Sequence, residues 1–500
     1  MTEDWQLFVK KIQQDHRDSR IPVEWKIPSA VLAEATDLDV IHQIPTHLSP
    51  RELEITGKTA AELVRLMASG SLTSVEVTRE LCHRASVAQQ YLCCITEVLF
   101  DQALKRAQEC DDYFKATGRK TLGPLHDLPI SIKEEHAMKG TFVTWGFVEW
   151  AREGPSALIS FETNNVVWGK TLNPFNLKAV PGGSTSGEGC LIAVGSSPLG
   201  VSGILQRLLS VQPTQVHRFF QFIFQYKIGS IRVPSSINGL YSLKPSTRRF
   251  AYNGSKVPFI GAPDAVLPVN GPIARSVDDI ELYTLVQYDI EGWRIDLNVI
   301  QRQCVKPELP KKLRVGYILD NGIRKPVGPV ERAIRSVVAG LEKAGHMAVE
   351  VDFKSGCQLM ELTINCYKDS VVEIVKKRGE GVTPSLAPHF VHSRPNPDAG
   401  ELWPKRSSRD SNLDFIIAPV IGLPSYPHDR SFDAVAAGSY TMAFNLLYLP
   451  VGIVAITTIT PADKPTEKYV ARHRLEQVVV GRRGFEEWVI ECMKVVDKAH

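Results

Sequence analysis

Residues 181–189 read Pro181-Gly182-Gly183-Ser184-Thr185-Ser186-Gly187-Glu188-Gly189, and farther on the chain returns to a glycine-serine turn, Ile228-Gly229-Ser230-Ile231-Arg232-Val233-Pro234. Upstream of both lies an apolar alternation that ends on a cation, Pro129-Ile130-Ser131-Ile132-Lys133. Glycine tolerates positive φ and close backbone approach, so such loops can aim amide N–H groups at an anion. Serine–lysine hydrolysis requires two serines on glycine-rich backbone and one strand-borne lysine. The nucleophilic serine needs a base for its proton and donors for the developing oxyanion. That chemistry follows only if the three side chains meet in space.

Each piece alone has a plainer reading. A lysine is a base only when uncharged, which takes burial or cationic neighbours. Otherwise the stem of Lys133 packs and its head reaches solvent. The Ser184 loop reads as a phosphate cradle, a serine-relay loop or a tight turn. Neither Walker A nor GxGxxG fits it. Ser230 is a turn residue or a nucleophile. No HExxH or GxSxG occurs, and Glu134-Glu135-His136 lacks metal-helix spacing, so metal catalysis has little support.

Composition narrows the class. The 500 residues are 43% hydrophobic and 23% charged, near the globular average and long enough to bury a large core. A net charge of +3 is too small for a nucleic-acid surface or a polybasic membrane patch. The charged start, Met1-Thr2-Glu3-Asp4-Trp5, is not expected to act as a secretory signal. No stretch reaches the roughly 18 apolar residues of a membrane span. The nearest, 444–459, is interrupted by Asn445, Tyr448 and Pro450 and reads as buried sheet. Nine cysteines without CxxC or metal spacing suggest reduced thiols and a cytoplasmic setting.

Along the chain, residues 3–20 read as a helical arm lying on a body. Thr59 caps a helix stopped by Gly70, Ser74 opens a second, and Asp101 opens a third that ends at Gly118. Between the last two, 93–100 reads as a strand. From about Leu125, short apolar runs alternate with glycine turns at 128–132, 166–169 and 191–194. A strand at 313–318, a helix at 330–344 and a strand at 347–353 form a βαβ unit. Strands at 415–420 and 451–459 and a closing helix at 484–498 follow, and the proline-rich 383–404 reads as a loop.

Together these stretches resemble the amidase signature family. Gly123-Pro124-Leu125-His126-Asp127-Leu128-Pro129-Ile130-Ser131-Ile132-Lys133 resembles the segment with the family's lysine. Gly169-Lys170-Thr171-Leu172-Asn173-Pro174 and 181–189 resemble its glycine-serine signature. Residues 228–246 resemble its nucleophile segment, and Gly271-Pro272-Ile273-Ala274-Arg275-Ser276-Val277-Asp278-Asp279 a further motif. Leu48-Ser49-Pro50-Arg51-Glu52-Leu53-Glu54-Ile55 is similar to fungal acetamidase-type members.

The resemblance implies an α/β fold, a central mixed sheet wrapped by helices in one large domain over 51–500, with 1–50 as an N-terminal arm. It implies a Ser-Ser-Lys triad: Lys133 as base, Ser184 as a bridging serine in a cis peptide, and Ser230 as nucleophile. Lys227, Ile228, Gly229 and Ser230, with Ser184, would bind substrate and oxyanion. A small carboxylic amide would yield acid and ammonia through an acyl-enzyme, with no cofactor or metal. A homodimer is compatible with this reading. The same family includes subunits of tRNA-dependent amidotransferases, which the acetamidase-like start and near-neutral charge argue against.

The pattern breaks twice. Residues 203–227 carry Phe219, Phe220, Phe222 and Phe224, and no acidic residue separates Glu188 from Asp264. Around 149–161 an expected helix and strand are missing, and Ser186 stands where glycine is common. These breaks read as translated intron in one place and skipped coding sequence in the other. The alternative function is then a catalytically impaired relative with a disrupted oxyanion loop. A transcript read spanning Val201 to Ser230 is expected to lack 203–227, and a read with that segment intact would contradict the expectation.

Overall fold

A computed structural model describes residues 2–126, 128–134, 140–142, 144, 162–202, 229–251, 269–294, 296–301, 304–353, 413–430, 436–459, 474–481 and 483–500. The irregular stretches at 149–161, 203–227 and 383–404, together with Lys227 and Ile228, lie outside the described residues.

The strands in chain order are β1 Ser131–Ile132, β2 Asn164–Asn165, β3 Gly169–Lys170, β4 Leu199–Ser202, β5 Tyr241–Lys244 and β6 Gly271–Ala274. They continue as β7 Arg314–Tyr317, β8 Met347–Glu350, β9 Phe415–Pro419, β10 Val451–Thr458 and β11 Arg474–Val480. Among the described residues nine of them form one sheet in the order β1-β4-β6-β5-β10-β11-β9-β7-β8, with β2 and β3 a separate ribbon. The sheet is mixed: β1 runs parallel to β4, and β7 parallel to β8 and β9, whereas β10 is antiparallel to β5 and β11. The expected α/β domain with a central mixed sheet and surrounding helices is therefore present.

The βαβ unit forms where its pattern puts it. The Gly328–Lys343 helix buries Val330, Ala333, Ile334, Val337 and Leu341 along one face, the spacing of an amphipathic helix against a sheet. On the other side, the Ala60–Ala68 helix starts in a capping box of Thr59 and Glu62. The Ser74–Leu92 helix is capped by Thr73, one residue ahead of the expected start.

Several expectations are corrected. Residues 93–100 are not a strand. Cys93 turns left-handed at φ 50, Ile95 N donates to Gln89 Oε1 at 2.6 Å, and Val98 N donates to the His16 carbonyl at 2.9 Å. These backbone groups are satisfied by a side chain and by the N-terminal helix. Residues 191–194 end the Ser186–Ala193 helix, which is buried on nearly every side and so carries no alternation. Of 128–132 only Ser131 and Ile132 pair in the sheet, and most of 166–169 is the turn between β2 and β3. The run 444–459 divides at Tyr448, φ 56, into the end of the Ser439–Leu446 helix and β10. No peptide bond among the described residues is cis, so Ser184 lacks the cis linkage that the resemblance implies. None of the described cysteines forms a disulfide, and no described helix is long and apolar enough to cross a membrane.

The N-terminal Thr2–His16 helix lays Val9 and Ile12 on Val167 and Trp168. Beyond it, Arg17 is buried and donates from Nη1 to the Trp168 carbonyl at 2.9 Å. His16 Nδ1 lies 3.4 Å from Glu97 Oε2, while Glu97 Oε1 accepts from Phe142 N at 2.6 Å. Burial above all, with a contribution from the Glu134 charge, pushes the Glu97 carboxyl from the ordinary 4.5 up to about 7. The folded chain therefore keeps a proton that the unfolded chain has released, and stability falls as pH rises from about 4.5 to about 7. Glu97→Gln removes that dependence. Its urea midpoint is expected to match wild type at pH 5 and to exceed it at pH 8. A difference independent of pH would contradict the assignment.

Candidate active site

Lys133 follows β1 directly. Parallel pairing of Ser131 with Gly200 and of Ile132 with Val201 fixes that strand against β4. The lysine is only 9% exposed, and its Nζ donates to Ser184 Oγ at 3.0 Å. Its neighbour Glu134 is fastened through one oxygen: Oε1 accepts from Thr144 N at 2.8 Å and from Trp168 Nε1 at 3.0 Å. Since the Trp168 carbonyl accepts from Arg17, the segment after the lysine is tied to the chain's first twenty residues.

Ser184 sits in the glycine-serine loop that leads into the Ser186–Ala193 helix. The loop's carbonyls hold it in place. Asn238 Nδ2 donates to the Pro181 carbonyl at 2.7 Å, and Thr163 Oγ1 donates to the Gly183 carbonyl at 3.1 Å. Ser184 Oγ in turn donates to Ser230 Oγ at 2.9 Å.

Ser230 lies in the turn entering the Arg232–Asn238 helix. The turn opens at Gly229 with φ +111, a left-handed conformation, and a Cβ there would lie 2.9 Å from Val233 Cγ2 and 3.1 Å from Thr441 Oγ1. Only glycine meets both demands. Behind the turn Arg232 is 1% exposed, and its Nη2 donates to the Thr441 carbonyl at 3.0 Å and to Asn445 Oδ1 at 2.6 Å. The arginine thus anchors to the Ser439–Leu446 helix, a contact of side chains more than 200 positions apart. Nearby, Lys244 is driven well below the usual lysine value, by burial first and by the Arg232 charge second.

The structure therefore brings Lys133, Ser184 and Ser230 into one hydrogen-bonded row, with Gly229 beside it. A cavity of about 670 Å³ borders Lys133 and Ser184, walled by apolar side chains that include Leu81, Ala85, Phe100, Leu125 and Leu191. Among the described residues no group of three His, Cys, Asp or Glu side chains is placed to hold a metal. The supporting roles of Glu134, Trp168, Glu188, Thr441 and Asn445 escaped the sequence reading, although Glu134, Glu188 and Asn445 stand in stretches that it singled out for other reasons.

The chain is also similar to known proteins. A profile of the family described as Amidase matches residues 76–157, 153–203 and 228–387, leaving 204–227 unmatched. An acetamidase of Emericella nidulans is 30% identical, over 92% of this chain and 88% of its own length. An acetamidase of Aspergillus oryzae is 28% identical, over 91% and 88%. Among solved structures, a fatty acid amide hydrolase is similar with a TM-score of 0.82 at 27% identity, covering all of this chain and 95% of its own. A bacterial aryl acylamidase of the amidase signature enzymes shares the fold, with a TM-score of 0.66 at 18% identity over 88% and 96%. A profile match over more than half the chain and full-length fungal relatives at this identity establish that the chain belongs to the amidase signature family, as an amide hydrolase.

Proposed function

We propose that this hydrolase converts a small carboxylic amide to acid and ammonia through a Ser-Ser-Lys triad and an acyl-enzyme. The carrying observation is the placement of Ser184 Oγ, 3.0 Å from Lys133 Nζ and 2.9 Å from Ser230 Oγ. Both distances suit proton transfer, and the same heavy-atom positions serve either direction of donation. Attack needs the direction opposite to the resting one. Ser230 gives its proton to Ser184 Oγ, and Ser184 gives its own to an uncharged Lys133 amine.

Ser230 Oγ then bonds to the amide carbon and the carbonyl electrons move onto oxygen. Backbone N–H groups of residues 227–230 are the proposed oxyanion donors, each contributing roughly 3–4 kcal/mol. When the tetrahedral intermediate collapses, the C–N bond breaks. The proton held at Lys133 passes through Ser184 to the leaving nitrogen, and ammonia departs. Water repeats the sequence on the ester, releasing the acid and restoring Ser230. Lys133 and Ser184 border the apolar cavity, which suits an amide with an apolar substituent.

The other reading is an impaired relative, and the continuous hydrogen-bonded row favours hydrolysis over it. The hydrolytic reading carries with it a cytoplasmic setting and is compatible with a homodimer.

Ser230→Ala and Lys133→Ala are each expected to lower kcat on benzamide by roughly 10⁴ or more, as removal of a nucleophile or its base does elsewhere. A fluorophosphonate probe should label wild type and leave Ser230→Ala unlabelled. Equal labelling of the two would remove Ser230 from the role of nucleophile.

A further inference from the structure

The Ser186–Ala193 helix carries one acid, Glu188, in its first turn, and its residue is 6% exposed. A first-turn carboxylate is well placed against the helix dipole, yet here it turns inward instead of meeting water. Its Oε2 accepts a hydrogen bond from Ser131 Oγ. Ser131 is also engaged by Ser197: Ser131 N donates to Ser197 Oγ at 3.2 Å, and the two hydroxyl oxygens lie 2.9 Å apart. Ser197 gives its own proton to the Leu199 carbonyl at 2.9 Å, so the single proton of Ser131 is shared between the Ser197 oxygen and the Glu188 carboxylate.

Room for this contact is built into the sheet. Ser131 pairs with Gly200 across β1 and β4. A Cβ at Gly200 would lie 2.5 Å from Glu188 Oε2 and 2.6 Å from Ile192 Cδ1, so any other residue there would displace the carboxylate. Residues two apart on an extended chain face the same way, which sets Ser131 and Lys133 on one side of β1. Ser184 immediately precedes the helix that bears Glu188. A ring closes: Lys133 to Ser184 by hydrogen bond, Ser184 to Glu188 along the chain, Glu188 to Ser131 by hydrogen bond, and Ser131 back to Lys133 along the strand.

We propose that Glu188 is a positioning residue for the hydrolytic reaction. Its carboxylate braces the lysine strand against the serine loop and sets the reach of the Lys133 amine to Ser184. The proposal rests on the triad reading above. Glu188 lines the same cavity as Lys133 and Ser184; as a brace and not a substrate contact, its loss should act on kcat and leave KM nearly unchanged. Misplacement of a catalytic group by about 1 Å costs up to about 100-fold in rate.

The test compares p-nitroacetanilide hydrolysis and fluorophosphonate labelling in wild type and four variants. Glu188→Ala is expected to lower kcat about 30-fold, with KM within about twofold and a similar fall in labelling rate. Glu188→Gln keeps an acceptor oxygen of the same reach and should stay within about threefold of wild type. If Glu188→Ala does not fold, Ser131→Ala removes the other end of the contact and should lower kcat about fivefold with KM unchanged. Ser230→Ala serves as the control: if it labels like wild type, the triad reading fails independently of the brace. The proposal is overturned by a folded Glu188→Ala with wild-type kcat, by a Glu188→Gln as slow as Glu188→Ala, or by a Ser131→Ala with unchanged kcat.

Discussion

Ser184 Oγ, held between an amine at 3.0 Å and a second hydroxyl at 2.9 Å, is the contact on which the rest of the site depends. Its partners lie 51 residues upstream and 46 downstream. No local turn can set such distances. They are fixed by the packing of β1 on β4, of the Ser186–Ala193 helix on that pair, and of the Arg232–Asn238 helix beside it. A relay tolerates little slack, since proton transfer needs heavy atoms within hydrogen-bond reach throughout the reaction. The density of buried polar contacts around the row follows from that demand. Glu134, Asn238 and Arg232 each spend their hydrogen bonds on backbone or on another element, converting long-range packing into a fixed position for one oxygen.

Much of this was legible in the residues. Helix starts at Thr59 and near Ser74 could be read because a capping side chain acts on its own next turn. The βαβ unit could be read because an amphipathic helix between two apolar runs has one stable way to bury its face. The three reactive side chains stood out because glycine flanks both serines and an apolar strand precedes the lysine. What misled was apolarity without period. Residues 191–194 are as apolar as a strand, yet they complete a helix enclosed on nearly all sides, where periodicity carries no information. The run 93–100 looked extended because its backbone partners, Gln89 and His16, come from an adjacent helix and from the chain's first twenty residues. Glu134, Trp168 and Glu188 act largely through long-range contacts, 34 positions between the first two and 57 from Glu188 to Ser131, which their own neighbourhoods do not announce.

The first twenty residues also belong to the site's support. Arg17 is buried and donates to the Trp168 carbonyl, while the Trp168 indole donates to Glu134 beside the lysine. Burying a guanidinium is costly unless its donors are matched, so Arg17 fixes where the N-terminal segment can sit. The route from Arg17 to Lys133 runs through one tryptophan and one carboxylate. Residues 1–50 can therefore be read as an arm by position in the chain, while their contacts make them part of the frame around the lysine.

The stretch that departs from the family pattern ends just before Gly229, and this raises the question of what then holds Ser230. The contacts answer from downstream. Arg232 reaches the Thr441 carbonyl and Asn445, Gly229 packs against Thr441 and Val233, and Asn238 reaches back to the loop of Ser184. Each of these partners lies outside 203–227. The family match likewise resumes at residue 228. The position of Ser230 is thus set by residues downstream of it and by the serine loop. Divergence upstream bears on a different quantity, the oxyanion donors proposed at 227 and 228, which lie outside the described residues. Holding a serine in place and stabilising an oxyanion are separable demands of the proposed reaction, and Ser230 is held by residues that lie outside 203–227.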